Sequence, residues 1–360
     1  MINKGRQVEI DIAKGLAIIY MVLVHTTEYF FDGSNSLAES IIEFLGSPPG
    51  APIFMFALGI GIVYSRNNTW QQLAKRGGQM LVLSYVYNFL VYSLPHIILF
   101  FTAKDSSRLG TAISELLNVD ILQFAALTFL TFAIIKKFNW NMKKIVAYGV
   151  VVSLAGELIS KYLTLPEEGF GYAIDLFIGV NDTSYFPYCS WIIFPLAGYI
   201  FGTALSNCSN KKAFYGKLAL IGFPIYGIMM VVAFYLSIDF GQLDNKYQIP
   251  YYHMGLYGNL CMLAFGFGYL ALCYVASCIL PESVKTYFKQ LSSNITKMYV
   301  IQYVVIIYTY EFIAAEESTL NLPLTLIASL VFFIIVKKLA SIKVPQLAIK
   351  PRALARESVR

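Results

Sequence analysis

The stretch that decides how the chain is read is Glu9 to Phe30, EIDIAKGLAIIYMVLVHTTEYF. Its middle is apolar for long enough to cross a bilayer, since about 20 helical residues at about 1.5 Å each span about 30 Å of hydrocarbon. Yet it carries Asp11, Lys14, His25 and Glu28. On a helix, residues eleven apart are rotated by about 1100°, within about 20° of three full turns. Lys14 and His25 therefore share a face, about 16 Å apart along the axis. Asp11 lies one turn before Lys14 and Glu28 one turn after His25, so all four fall near one stripe. Ionisable groups inside spans are costly and as a rule face a polar cavity or a partner. The ordinary account is that Asp11 pairs with Lys14 at the interface, Glu28 marks the end of the span and a neighbour satisfies His25.

Working outward, apolar stretches recur from Ile10 to Val336 in a chain of 360 residues. It is 57% hydrophobic and only 13% charged, with a mean hydropathy of +0.61. A soluble domain carries about 25% charged residues. The fold class expected is therefore all-α, a polytopic membrane protein embedded in a lipid bilayer. A window of about 20 residues marks about ten transmembrane helices, at 10–31, 49–64, 79–101, 120–135, 145–163, 185–205, 218–236, 255–280, 293–312 and 322–338. The second is short and glycine-rich.

Alternate connections hold the basic residues: Lys4 and Arg6; Arg66, Lys75 and Arg76; Lys136, Lys137, Lys143 and Lys144; Lys211, Lys212 and Lys217; Lys285 and Lys289. The intervening ones are acidic or mixed, among them Glu39 and Glu43, Glu167 and Glu168, Asp239 and Asp244, and Glu316 and Glu317. By the positive-inside rule both termini are cytoplasmic, which requires an even number of spans. The expected organisation is a single transmembrane domain, 1–343, and a short basic cytoplasmic tail, 344–360. The net charge of +6 is then a topology signal rather than a nucleic-acid footprint. Lys4 and Arg6 before an apolar run resemble a signal peptide, but the run is long and lacks a small-residue cleavage site, so a retained first helix is expected. Cys189, Cys208, Cys261, Cys273 and Cys278 show no CxxC or Cys/His spacing, so neither a disulfide framework nor a metal is expected.

The stripe on the first helix suits one chemistry. An elongated anionic donor could rest its phosphates against Lys14 and its reactive end near His25. Histidine titrates near working pH and can take a proton from an acceptor hydroxyl or amine. Coenzyme A, with phosphates at one end and a thioester at the other, is compatible with that spacing.

At these residues the segment resembles the transmembrane acyltransferase superfamily, the acyltransferase-3 and heparan-alpha-glucosaminide N-acetyltransferase-like proteins. The family's first helix carries a basic residue, ten intervening residues and a histidine; here these are Lys14, GLAIIYMVLV and His25, with Asp11 and Gly15 in the expected places. Lysine replaces the commoner arginine and loses its bidentate fork. PIFMFALGIGIVYS followed by LAKRGGQML is similar to the family's second span and basic turn. DILQF from Asp120 and YFPYCSWIIFPLAGYIFG from Tyr185 are similar to the heparan-type branch. LSSNITKMYVIQYVVI from Leu291 resembles a late span in which a histidine often stands where this chain has Gln302. The resemblance implies transfer of an acyl group, usually acetyl from cytoplasmic acetyl-CoA, to a sugar or other cell-envelope acceptor, in a bacterial cytoplasmic (inner) membrane. The acceptor itself does not follow.

His25 is the expected base, with Glu28 and Asp11 as electrostatic support. Lys14, Arg66, Lys75 and Arg76 are candidates for the donor phosphates, although the last three also serve as ordinary flanking charge. Asp120, Gln123, Glu157, Tyr188, Trp191 and His253 are candidates for the acceptor. Each has a plainer account: helix capping for Asp120 and Gln123, a structural acid for Glu157, packing for Trp191, an interfacial aromatic for Tyr188 and a solvated loop for His253. A homo-oligomer is compatible with this reading. The alternative function is a secondary transporter of a polar or anionic metabolite with Lys14, His25 and Glu157 as a relay. The chain shows no paired broken helices of the kind such transporters use.

Overall fold

The computed structural model describes residues 2–163, 169–181, 183–238, 251–314 and 319–342. The expected tail, 344–360, and Glu167, Glu168, Asp182, Asp239, Asp244, Glu316 and Glu317 lie outside the described residues. The described part is helical, and its extended pairings are two isolated bridges, Phe31 with Leu320 and Val119 with Ser184.

In chain order the helices are α1 (Val8–Phe30), α2 (Ser36–Gly46), α3 (Ala51–Tyr64), α4 (Trp70–Ala103), α5 (Ser107–Leu117), α6 (Ile121–Lys137), α7 (Met142–Tyr162) and α8 (Phe170–Asp175). There follow α9 (Tyr188–Asn207), α10 (Lys211–Leu236), α11 (Leu256–Ile279), α12 (Glu282–Phe312) and α13 (Leu322–Ala340). Each expected span coincides with a helix. Among the described residues six helical stretches are long and apolar enough to cross a membrane by length and composition: Ser36–Tyr64, which joins α2 and α3, and α4, α9, α10, α11 and α13. The other four expected spans fall on α1, α6, α7 and α12. Charged residues interrupt α1, α7 and α12, and α6 has 17 residues.

Local chemistry sets the helix starts. Thr69 and Asp120 open α4 and α6 with capping boxes completed by Gln72 and Gln123, and Asn141, Asn210 and Asn321 cap α7, α10 and α13. These side chains satisfy N–H groups that the first turn leaves without partners. Within α4 the residues Phe89–Ser93 form a π turn. Pro95 follows at once; it has no N–H to donate, and its ring crowds the carbonyl four residues back, so the helix widens there.

The short α3 is held by close backbone approach. A Cβ on Gly59 would overlap the carbonyl of Pro195, and one on Gly198 would overlap that of Phe56. The small residues of the expected second span thus let α3 and α9 cross in direct contact, as small residues do between membrane helices. At the rim, α10 and α13 present Leu220, Ile228 and Val231, and Ile327, Leu330 and Ile334, outward. Exposed apolar area on that scale suits lipid, not water.

The amino-terminal segment is tied to the far end of α9. The backbone N–H groups of Ile2 and Asn3 donate to the Ser206 carbonyl at 2.7 and 3.0 Å, and the Asn3 amide reaches the carbonyls of Leu205 and Cys208. Buried Glu9 accepts from Lys211 at 2.6 Å and from the Tyr215 hydroxyl at 3.1 Å. Burying an acid requires such partners; these fix where α1 begins.

Candidate active site

The polar stripe of α1 opens into two cavities, one at each end of the helix. The first, of ≈ 220 Å³, is lined by His25 and Glu28 together with Asp120, Asn118, Tyr92, Tyr299 and Tyr303. The second, of ≈ 520 Å³, is lined by Lys4, Arg6, Asp11, Lys14, Arg66 and Ser293. Three helices contribute to both: α1; α3, with Ala51 in the first and Ala57 and Gly61 in the second; and α12, with Tyr299 and Tyr303 in the first and Ser292 in the second.

His25 is held from α12. The Gln302 amide nitrogen lies 3.2 Å from Nδ1, and the Tyr303 hydroxyl lies 2.9 Å from Nε2. The Tyr303 ring packs on the imidazole at 4.4 Å between centroids. Both ring nitrogens are thus occupied, which fixes the ring's orientation. Gln302, the residue standing where the family often has histidine, is fully buried, and its Oε1 has no partner.

Asp120 does two jobs. It caps α6, accepting the Ile121 N–H at 2.6 Å, and its carboxylate accepts the Tyr299 hydroxyl at 2.8 Å and that of Tyr92 at 3.3 Å. Tyr92 comes from the π turn of α4, so a local widening of the backbone delivers a cavity side chain. The expected capping role and the expected site position coincide in this one residue. Glu28 differs: its carboxylate lines the same cavity, yet it has no hydrogen bond or ion partner among the described residues.

Two neighbours shape the cavity from behind. The Asn88 amide donates to the carbonyls of Leu116 and Asn118 at 3.1 and 2.8 Å, tying α4 to the end of α5. The Asn118 amide donates to Glu115 on α5. Burial, reinforced by the nearby Glu311 carboxylate, pushes the Glu115 carboxyl up to about 7.

In the second cavity Asp11 is committed to Arg6, with Nε to Oδ2 at 2.5 Å and Nη2 to Oδ1 at 2.9 Å. Arg6 also reaches the Lys289 carbonyl and the Ser293 hydroxyl. The structure therefore does not bring Asp11 to His25; it places Asp11 in the other cavity as the partner of a guanidinium. Lys14 and Arg66 have no hydrogen bond or ion partner among the described residues. Lys4 and Arg6, read from sequence only as topology charges, join them here.

The remaining candidates line neither cavity. Lys75 is exposed, and the Arg76 guanidinium sits over the Phe129 ring at 4.3 Å. Gln123 completes the α6 capping box and donates to the Asn118 carbonyl. Glu157 pairs with Lys161 at 3.1 Å and accepts the Leu256 N–H at 2.9 Å, where Gly255 leaves room for it. Tyr188 is buried in a trio with Thr131 and Tyr148. Trp191 is fully buried and donates to the Tyr252 carbonyl at 2.7 Å, bracing a cavity wall without entering it. The His253 ring lies 2.6 Å from the Ser184 carbonyl. For Glu157 and Trp191 the plainer account describes the contacts; Gln123 acts as a cap.

Tyr92, Tyr299 and Tyr303 went unmarked in the sequence. The late span did contain a signal: Tyr299 and Tyr303 are four apart, on one face, with Gln302 beside them. Tyr92 stands three residues before Pro95, where a helix is expected to distort.

A protein-family model described as an acyltransferase domain matches residues 7–338. The chain belongs to the acyltransferase-3 family. No curated protein matches it. Family membership together with the apolar helices makes this a membrane acyltransferase, and it favours that class over the transporter alternative. The matched region runs from the start of α1 to the last turn of α13, so both cavities lie within the acyltransferase domain apart from Lys4, Gly5 and Arg6.

Proposed function

We propose that the chain moves an acyl group, in the first place acetyl, from cytoplasmic acyl-CoA to a hydroxyl of a sugar or other cell-envelope acceptor. The observation that carries this reading is the division of α1 between two cavities. One gathers Lys4, Arg6, Lys14 and Arg66, and the other holds His25.

In this reading ten spans cross a bacterial cytoplasmic membrane with both termini inside, following the alternation of loop charge. The basic cavity then faces the cytoplasm. Its unpaired Lys14 and Arg66 suit phosphate oxygens, which need cations with free donors. The roughly 16 Å of helix between Lys14 and His25 is bridged by the pantetheine arm, along the α1, α3 and α12 surfaces common to both cavities.

His25 acts as general base. The acceptor oxygen attacks the thioester carbonyl as its proton passes to the imidazole, the carbon–sulfur bond breaks, and the thiolate leaves and takes up a proton. Such proton transfer contributes about 10²–10⁴-fold. Direct transfer needs no acyl-enzyme. A base at Nε2 requires the proton of the neutral ring on Nδ1. In this reading the Gln302 amide therefore turns its otherwise unpaired oxygen to Nδ1, and the acceptor proton reaches Nε2 across the Tyr303 hydroxyl. The test is release of CoA and labelling of an envelope glycan by purified protein with radiolabelled acetyl-CoA. His25→Ala abolishes both while expression and melting temperature hold; full transfer by that variant would refute the mechanism.

A further inference from the structure

The two cavities differ in charge as sharply as in size. Four cationic side chains line the larger one against a single acid, Asp11, already paired with Arg6. Among the described residues no lysine or arginine lines the smaller one. Its charged residues are Glu28 and Asp120, and the rest of its polar surface is His25, Asn118 and tyrosine hydroxyls.

Asp120 is satisfied by three donors; Glu28 has none among the described residues. An unpartnered carboxyl on a cavity wall is a vacant acceptor that a ligand hydroxyl can fill. A negative charge brought beside it would meet two acids and, among the described residues, no cation, an arrangement that opposes binding. A hydroxyl-rich ring is suited on both counts. Its O–H groups donate to Glu28, and its apolar face packs on the aromatic walls formed by Tyr92, Tyr303 and Phe186. The space of ≈ 220 Å³ exceeds the roughly 150 Å³ that holds a benzene ring, but falls short of the roughly 300–1,000 Å³ of sites for larger ligands. One ring fills it.

We propose that this cavity selects its acceptor by charge: it takes a single hydroxylated ring bearing no carboxylate or phosphate, and Glu28 accepts one of that ring's hydroxyls. The proposal rests on reading the cavity as the acceptor site. Negative charge is sorted to the basic cavity and refused at the other, so the two substrates of one reaction cannot exchange places.

The experiment pairs methyl hexosides with the methyl hexuronosides of the same stereochemistry. Binding to the purified full chain in detergent is followed by saturation-transfer NMR, and acetyl transfer from labelled acetyl-CoA is measured in parallel. At least one neutral glycoside binds, and its uronoside binds at least about 100-fold more weakly, the scale of a cost of about 3 kcal/mol. Glu28→Gln, which keeps shape and removes the charge, narrows that ratio by about tenfold or more, and its melting temperature shows that it folds. Binding of a uronoside within threefold of its neutral counterpart, an unchanged ratio in Glu28→Gln, or no binding by any neutral glycoside would each overturn the proposal. Neutral glycosides that bind but are never acetylated leave the charge selection standing and refute the acyltransfer reading, so the two failures are distinguishable.

Discussion

Tyr303 sets its phenol oxygen 2.9 Å from Nε2 of His25, and the two rings pack at 4.4 Å between centroids. The Gln302 amide faces the other nitrogen; with its otherwise unpaired oxygen turned to a protonated Nδ1, Nε2 is free to take an acceptor proton by way of the phenol. Tyr303→Phe keeps the ring packing and removes only the hydroxyl. It lowers kcat by about 10–100-fold, the worth of about 1–3 kcal/mol of hydrogen bonding at the transition state, while KM for acetyl-CoA stays near its original value. Steady-state kinetics on both substrates check this, and an unchanged kcat would mean that the phenol simply moves aside.

Lys14 has no hydrogen bond or ion partner among the described residues and stands at the opposite end of the stripe from His25. Replacing it by methionine preserves the aliphatic stem and removes the charge. KM for acetyl-CoA rises about tenfold, as for loss of one charge-assisted hydrogen bond, with kcat within about threefold. Lys14→Arg binds the donor at least as well, because guanidinium adds a second donor to phosphate. If Lys14→Met lowered kcat and left KM alone, the residue would belong to the chemistry and not to donor binding.

Glu157 serves as a test of structure against function. It accepts the first N–H of α11 and pairs with Lys161, away from both cavities. Glu157→Ala costs about 1 kcal/mol, the usual worth of a lost helix cap. Thermal unfolding in detergent reads this as a lower melting temperature, while transfer kinetics per folded molecule stay unchanged. A tenfold loss of kcat would restore the substrate role that its place in the span suggests.

Glu115 makes stability depend on pH. Its carboxyl is held above its ordinary value, from 4.5 to about 7, by burial and by Glu311. Between those values the folded state keeps a proton that the unfolded state has released, so stability falls as pH rises. The contribution is complete below about 4.5 and gone above about 7. Melting temperature therefore declines from pH 5 to pH 8, and Glu115→Gln flattens that decline while keeping the hydrogen bond to Asn118. An unchanged slope would assign the dependence to another group.

Much of the architecture was legible without coordinates. Helix positions followed from runs of apolar residues, because a membrane span must satisfy its backbone internally and face lipid with apolar side chains. Every expected span falls on a helix, including the short second one, whose Gly59 meets α9. The site was legible only in part. Lys14 and His25 were marked by being costly where they stand, whereas Glu157 was marked by the same rule and turned out to satisfy a backbone N–H. Tyrosine in an apolar helix carries no such signal, which is why Tyr92, Tyr299 and Tyr303 went unmarked.

The opening stretch divides the two kinds of knowledge. Asp11, Lys14, His25 and Glu28 lie along one side of α1 whatever surrounds the helix, because a repeat of about 3.6 residues per turn is a property of the helix alone. What each of them faces depends on the packing around α1. Asp11 is drawn to Arg6, His25 is clasped by Gln302 and Tyr303, Lys14 opens onto a basic cavity, and Glu28 faces the other cavity with no partner among the described residues. Arg6 stands only five residues before Asp11, but the partners of His25 come from another segment of the chain, in the case of Gln302 from 277 residues away. A helical repeat is local, whereas the meeting of two helices depends on how all their faces pack.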